Sequence, residues 1–186
     1  MGIDRTAPGA IARAVFLDRD GTINEAFVRN GKSYPPATVD EFRLLPGVGR
    51  AAAALKAAGY LLIVVTNQPD VGAGRQQRDV VEAMHAKLQT LMPVDDIRVC
   101  YHTDENRCAC RKPAPGMILG AAADRRIDLA ASYMIGDRWR DVEAGQGAGC
   151  RTVWIRNQYD ERQPATSDAV VDSFSEAADL ILSRRI

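Results

Sequence analysis

Five short apolar runs, separated by stretches with helical spacing, decide what this chain can become. Ala14 to Leu17 runs into Asp18, Tyr60 to Val65 into Thr66 and Asn67, and Ala131 to Gly136 into Asp137, while Ile97 to Tyr101 and Thr152 to Ile155 are comparable. Runs of this length with continuous apolarity read as strands buried on both faces, as in a parallel sheet. Between them the spacing predicts helices over 49–58, closed by Gly59, and over 75–92, where Val80, Val81, Met84, Leu88 and Leu91 share a face ahead of Pro93. Further helices are predicted over 115–125, 140–147 and 173–183. Alternating strand and helix implies an α/β fold, a three-layer Rossmann-like sandwich on a mainly parallel sheet. Ligands of such sheets sit at the carboxyl ends of the strands, so Asp18, Thr66, Asn67 and Asp137 should converge on one edge.

At 186 residues the chain fits one domain, with a flexible segment 1–13 and a single domain over 14–186, able to bury a core without disulfides. The 24 basic residues balance 24 acidic ones. That gives no electrostatic footprint for nucleic acid or an anionic membrane, so any anionic ligand must be held by a local site. No run approaches the roughly 20 apolar residues of a membrane span, and the first residues lack the apolar core of a secretory signal. A cytoplasmic monomer with no membrane or nucleic-acid partner is expected. The stretch 23–45, with Gly31, Pro35 and Pro36, is too long for a mere connection and should cover the site.

The chemistry concentrates in Asp18-Arg19-Asp20-Gly21-Thr22, where a buried strand delivers two carboxylates to the sheet edge and glycine relieves the turn. A second concentration is metal-like. Of four cysteines, three lie within eleven residues of one another, and one of only two histidines lies among them, as Cys100-x-His102 and Cys108-x-Cys110. Structural cysteines would be scattered and cytosolic disulfides are rare, so a Cys3His zinc site is the best account. Four protein ligands leave no open position, which makes the zinc a structural staple for the loop that leads into Arg111 and Lys112. Cys150 reads as a small buried residue, and His85 as a surface or capping residue of its helix.

Asp18-x-Asp20-Gly-Thr resembles the first motif of the haloacid-dehalogenase superfamily. Thr66 after an apolar strand resembles its second motif, Lys112-Pro113 its third, and Gly136-Asp137 with Asp141 its fourth. The order and spacing are those the superfamily uses. The resemblance implies a phosphatase with no separate cap domain, in which Asp18 attacks phosphorus in line and forms an aspartyl phosphate, and Asp20 acts as general acid and base. It implies a magnesium ion held by the Asp18 and Asp137 carboxylates and the Asp20 carbonyl, with Lys112 offsetting charge and Thr66 and Asn67 donating to phosphoryl oxygens. Asn67, Gln68 and Arg111 are the expected substrate-binding residues. Asp141 either orders the magnesium waters or favours the first turn of the next helix; Trp139 reads as packing, and Arg138 and Arg140 have no assigned role.

Cys-x-His followed by Cys-x-Cys-Arg-Lys-Pro is similar to the D-glycero-D-manno-heptose 1,7-bisphosphate phosphatases, which share a subfamily with the histidinol-phosphate phosphatases. That resemblance implies removal of the C7 phosphate of a sugar bisphosphate, with Arg111 recognising substrate. The chain departs from the family at Pro69 to Arg75 and in a longer loop after Asn24, both beside the leaving group. Histidinol phosphate is the alternative substrate, since the catalytic residues would be shared. A polynucleotide end-phosphatase should show a basic groove with stacking aromatics, against which stand zero net charge and 6% aromatics. A non-enzymatic phospho-binding module has no use for Asp20.

Overall fold

The computed structural model describes residues 11–186. In chain order the elements are β1 (Arg13–Leu17), β2 (Phe27–Arg29), β3 (Lys32–Tyr34), α1 (Val48–Ala57), β4 (Tyr60–Asn67), α2 (Pro69–Gly72), α3 (Arg78–Leu91), β5 (Asp96–Cys100), α4 (Gly116–Arg125), β6 (Tyr133–Gly136), α5 (Trp139–Ala148), β7 (Arg151–Ile155), β8 (Ala169–Val171) and α6 (Phe174–Leu182). Six strands form one sheet in the order β5-β4-β1-β6-β7-β8, and every pairing in it is parallel.

Side chains alternate across this sheet with period two, so each central strand feeds two cores. Val15, Leu17, Leu62, Val64, Ile135 and Val153 face a core closed by α1, α3 and α6. Ala14, Phe16, Ile63, Val65 and Met134 face the other, closed by α4 and α5. This is the expected three-layer sandwich.

Strand order reverses at β1: the chain moves outward through β4 and β5, then returns to β6 on the other side. A crevice therefore opens at the carboxyl end of β1. Leu17 pairs with Val64 and with Ile135. Register thus sets Asp18 nearly level with Thr66 and Asp137.

Several boundaries differ from the sequence reading. Arg13 opens β1 and Ala12 bridges Ile127, so the described end of the expected flexible segment 1–13 is tied into the sheet; residues 1–10 of that segment lie outside the described residues. The helix expected from 75 begins at Arg78, because Pro69–Gly72 forms its own turn of helix and the chain reverses at Gly74 with φ 69°. Strand β8 is three residues long and flanked by Asp168 and Asp172, too short to show a pattern. The covering loop contains the hairpin β2–β3, whose turn residues Asn30 and Gly31 both have positive φ. That turn is the Asn-Gly signal of a two-residue hairpin, which the sequence carries within the covering loop.

Helix α4 begins in backbone contact with the cysteine loop: the Gly116 N–H donates to Ala109 O at 3.0 Å. A Cβ on residue 116 would lie 2.2 Å from that same carbonyl oxygen. Gly116→Ala must push the loop away, and it should lower stability by about 1–3 kcal/mol, as overpacking of fixed backbone does. An unchanged urea midpoint would show that the loop and helix are not in this close register.

Candidate active site

The carboxyl end of β1 presents Asp18, which is buried and whose N–H donates to Ile135 O of β6 at 2.9 Å. Lys112, 2% exposed, reaches it from the loop before α4. Its Nζ donates to Asp18 Oδ1 and to Asp141 Oδ1, both at 2.5 Å. Asp18, Asp137 and Asp141 bring their carboxylate oxygens within 4.8 Å of one another.

The charges do not balance. Burial, then the Asp141 carboxylate, raise Asp18 to about 6 against the opposing pull of Lys112. Burial, then Asp18 and Asp141, raise Asp137 well above the usual carboxylate range. Lys112 is opposed by burial, yet Asp141 and Asp18 push it up to about 12, so it stays an ammonium. Three buried carboxylates against one ammonium call for a further cation. Hard oxygen donors at this spacing fit a hard divalent ion such as magnesium.

Asp141 turns out to serve two purposes. Besides gripping Lys112, its Oδ2 accepts the Arg138 N–H at 2.9 Å, capping α5. Asp137 is braced by residues the sequence reading missed. Tyr159 donates its hydroxyl to Asp137 Oδ2 at 2.7 Å, and Trp154 Nε1–H and the Asn157 amide donate to the Asp137 carbonyl. These three lie in or just after β7, and nothing in their local sequence marks them.

Asp20 does not continue an extended strand. β1 ends at Leu17, the chain turns, and residue 20 bridges Asn24. Its carboxylate is held by the Arg19 fork at 2.9–3.2 Å, by Asn24 Nδ2 at 3.0 Å and by Gln68 Nε2 at 2.8 Å. Arg19 is fully buried, and its second Nη lies 3.0 Å from His85 Nε2. The surface or capping role expected for His85 is thus corrected: it lies on the buried face of α3 with Val81, Met84 and Leu88. Burial, then the Arg19 charge, push it down to about 4, so the ring is neutral near pH 7.

Thr66 is buried and its Oγ1 accepts from Gln68 Nε2 at 3.0 Å. Gln68 therefore links Thr66 to Asp20. The Asn67 amide is committed to backbone: Nδ2 donates to Lys112 O at 3.0 Å, and Oδ1 accepts the Lys112 N–H at 3.1 Å. Asn67 and Gln68, expected at the substrate, both line the cavity above the site, while the Asn67 amide also places Lys112 and Gln68 Nε2 also holds Asp20.

A cavity of about 260 Å³ opens above these groups, lined among others by Asp18, Asp20, Lys112, Arg111, Arg138 and Tyr34. Tyr34 belongs to the hairpin β2–β3, so the long loop does roof the site. Arg111 Nε donates to Asp104 at 2.6 Å, while one of its Nη atoms is buried without a partner among the described residues. Arg138 is anchored by Glu161 Oε1 at 2.9 Å, and that hydrogen bond raises its pKa.

Cys100, His102, Cys108 and Cys110 cluster beside this cavity, with S···S and S···N separations from 3.3 to 3.7 Å. Tetrahedral zinc with bonds of about 2.0–2.3 Å implies ligand edges of roughly 3.5–3.8 Å. The donor set fits zinc, and its separations lie within a few tenths of an ångström of those edges, two S···S pairs being tighter at 3.3 Å. Cys110 stands two residues before Lys112, which couples the cluster to the catalytic edge.

A parallel sheet with aspartates at the ends of β1 and β6 and a lysine between them is the architecture of a haloacid-dehalogenase-type hydrolase. Residues 109–177 match a family model described as HAD-hydrolase-like. The D-glycero-beta-D-manno-heptose-1,7-bisphosphate 7-phosphatase of Haemophilus ducreyi is 36% identical over 184 residues, 92% of this chain and 93% of that protein. The enzyme of the same name from Escherichia coli K12 is 38% identical over 183 residues, 91% and 88% of the two chains. A crystal structure of D,D-heptose 1,7-bisphosphate phosphatase from B. bronchiseptica, complexed with magnesium and phosphate, superposes with TM-score 0.80 at 29% identity, over 92% of this chain and 99% of that one. The chain belongs to the heptose-bisphosphate 7-phosphatase family of haloacid-dehalogenase-like hydrolases.

Removing the ammonium from this cluster should be costly. Lys112→Met leaves Asp18 and Asp141 buried without their partner, and stability measured in the presence of chelator should fall by about 3–5 kcal/mol. An equal or higher denaturation midpoint would mean that the lysine is not the counter-charge described.

Proposed function

We propose that this chain hydrolyses the C7 phosphate of D-glycero-D-manno-heptose 1,7-bisphosphate through a phosphoryl group carried transiently on Asp18. The observation that supports this most is the state of Asp18: Lys112 occupies Oδ1, no hydrogen bond engages Oδ2 among the described residues, and the carboxylate lines the cavity. An oxygen so placed can attack phosphorus while its twin stays neutralised. Phosphoryl transfer asks mainly for positioning and charge compensation, and the residues here divide that work.

Asp18, Asp137 and the Asp20 carbonyl would hold a magnesium ion, which would supply the charge neutralisation that lets two anions approach. Lys112 adds a fixed positive charge beside the attacking oxygen. Asp20 gives a proton to the leaving sugar oxygen, then accepts one from the water that cleaves the aspartyl phosphate. Asp141 and Asn67 hold Lys112 from its two ends. Thr66 presents its hydroxyl to the phosphoryl oxygens. Cys100, His102, Cys108 and Cys110 would hold a zinc ion that staples the loop carrying Arg111 and Lys112, on the edge of the core that α4 and α5 close.

Arg111 is suited to the second phosphate. Arg111 lines the cavity, one of its Nη donors has no partner among the described residues, and a phosphate beside it would satisfy that donor. The cavity is small, matching one phosphorylated sugar rather than a polymer. Relatives of nearly equal identity are named for different anomers: the Burkholderia mallei protein, 35% identical, for the alpha form and the Haemophilus ducreyi protein for the beta. Anomer choice therefore rests with individual contacts in the loops. Among the described residues no helix is long and apolar enough to cross a membrane.

Two predictions test this reading. Stripping magnesium should stop phosphate release with little change in thermal midpoint, whereas stripping zinc should lower the midpoint and open the segment 100–112 to hydrogen exchange. Purified protein without stoichiometric zinc would refute the staple. In a phosphate-release panel, heptose 1,7-bisphosphate should exceed the 7-monophosphate and histidinol phosphate in kcat/KM, and Arg111→Ala should cut the bisphosphate preference roughly ten- to a hundredfold. Preference for histidinol phosphate, or equal slowing of mono- and bisphosphates, would overturn the substrate assignment.

A further inference from the structure

We infer that His85 is a positioning residue for this reaction: through Arg19 it fixes the Asp20 carboxylate in the orientation from which the leaving sugar oxygen is protonated. The inference rests on the reading of Asp20 as general acid, and it adds a residue on α3 that the sequence motifs do not include.

A guanidinium can only donate, so the contact of 3.0 Å between Arg19 and His85 Nε2 makes that nitrogen the acceptor and places the ring proton on Nδ1. The same guanidinium turns its Nε and other Nη toward both oxygens of Asp20, at 2.9–3.2 Å. The Phe42 ring lies over the guanidinium, its centroid 5.8 Å from the guanidinium carbon, and a contact on the remaining Nη fixes the fork's rotation against the carboxylate. His85 provides that contact. Burying Arg19 completely is expensive unless its donors are met, and His85 Nε2 is the acceptor that meets the remaining Nη. Asn24 and Gln68 then close the other directions around Asp20. The outcome is a carboxylate held from several directions, beside the cavity that Asp18 also lines. No proton passes through His85; it acts by geometry alone.

The test separates this role from a merely structural one through the leaving group. A sugar alkoxide must be protonated as it departs, whereas p-nitrophenolate leaves without help, and kcat/KM reports the steps up to that departure. His85→Met and His85→Gln are matched in length, but only glutamine offers an acceptor near the Nε2 position. His85→Met should lower kcat/KM for the heptose bisphosphate at least about tenfold, mostly through kcat, while p-nitrophenyl phosphate changes by less than about threefold; a placed acid supplies 10²–10⁴ in all. His85→Gln should recover most of the loss. Arg19→Lys, which keeps the charge and loses the fork, should repeat the Met pattern should that variant not fold. Equal losses on both substrates, no loss on either, or no difference between Met and Gln would overturn the positioning role. Asp20→Asn is the control: it should discriminate strongly between the two substrates, and if it does not, the assignment of Asp20 fails and this inference with it.

Discussion

The ion pair that Lys112 makes with Asp18 and Asp141 is the interaction on which the rest of this site depends. Removing an ammonium from water costs several kcal/mol even after relaxation, and two contacts at 2.5 Å are what offset it. Because the lysine is nearly fully buried, its backbone has to be placed first, and two devices do so. Asn67 at the end of β4 clasps the Lys112 peptide on both sides, and the cysteine cluster closes the loop just ahead of it. The sheet, through β4, and the loop, through its cysteines, thus agree on one position for one charge.

A similar logic governs the roof. The hairpin β2–β3 has no core beneath it and is held by polar contacts to the segment after β7: the Asp160 N–H donates to Gly31 O at 2.7 Å, and Tyr159 from the same segment reaches Asp137. The element that shapes the cavity mouth is therefore tied to the carboxylate at the end of β6. Substrate contacts and the cation site share one framework, so a change in the segment 157–161 reaches both.

Much of this was readable from residue order. The buried strands announced themselves because parallel strands with two covered faces are apolar throughout, and the polar residues that end them, Asp18, Thr66 and Asp137, fell on one edge as the topology requires. The cysteine and histidine spacing pointed to its cluster for the same reason, since ligands of one ion are close in sequence when they staple a loop. What escaped was whatever depends on long-range packing. Helical spacing puts His85 on the face of Val81, Met84 and Leu88, but what a histidine does there cannot be read until Arg19 is found opposite. Tyr159 and Asn157 lie in an irregular segment with no period to read. The engagement of Asn67 and Gln68 with Lys112 and Asp20 could not be separated from a substrate-binding role, because an amide after a strand suits either. The hairpin β2–β3 differs from these, its Asn30-Gly31 turn being a local signal.

The central claim is that Asp18 carries the phosphoryl group between the two half-reactions. The most direct measurement is rapid acid quench of the enzyme during turnover of isotopically labelled heptose bisphosphate, followed by peptide mapping of the protein-bound label. The account predicts a hydroxylamine-labile phosphoryl group on the peptide containing Asp18, formed and lost at rates compatible with turnover and absent from Asp18→Asn. Label on any other side chain, or turnover by Asp18→Asn above about a hundredth of the unmodified rate, would contradict it.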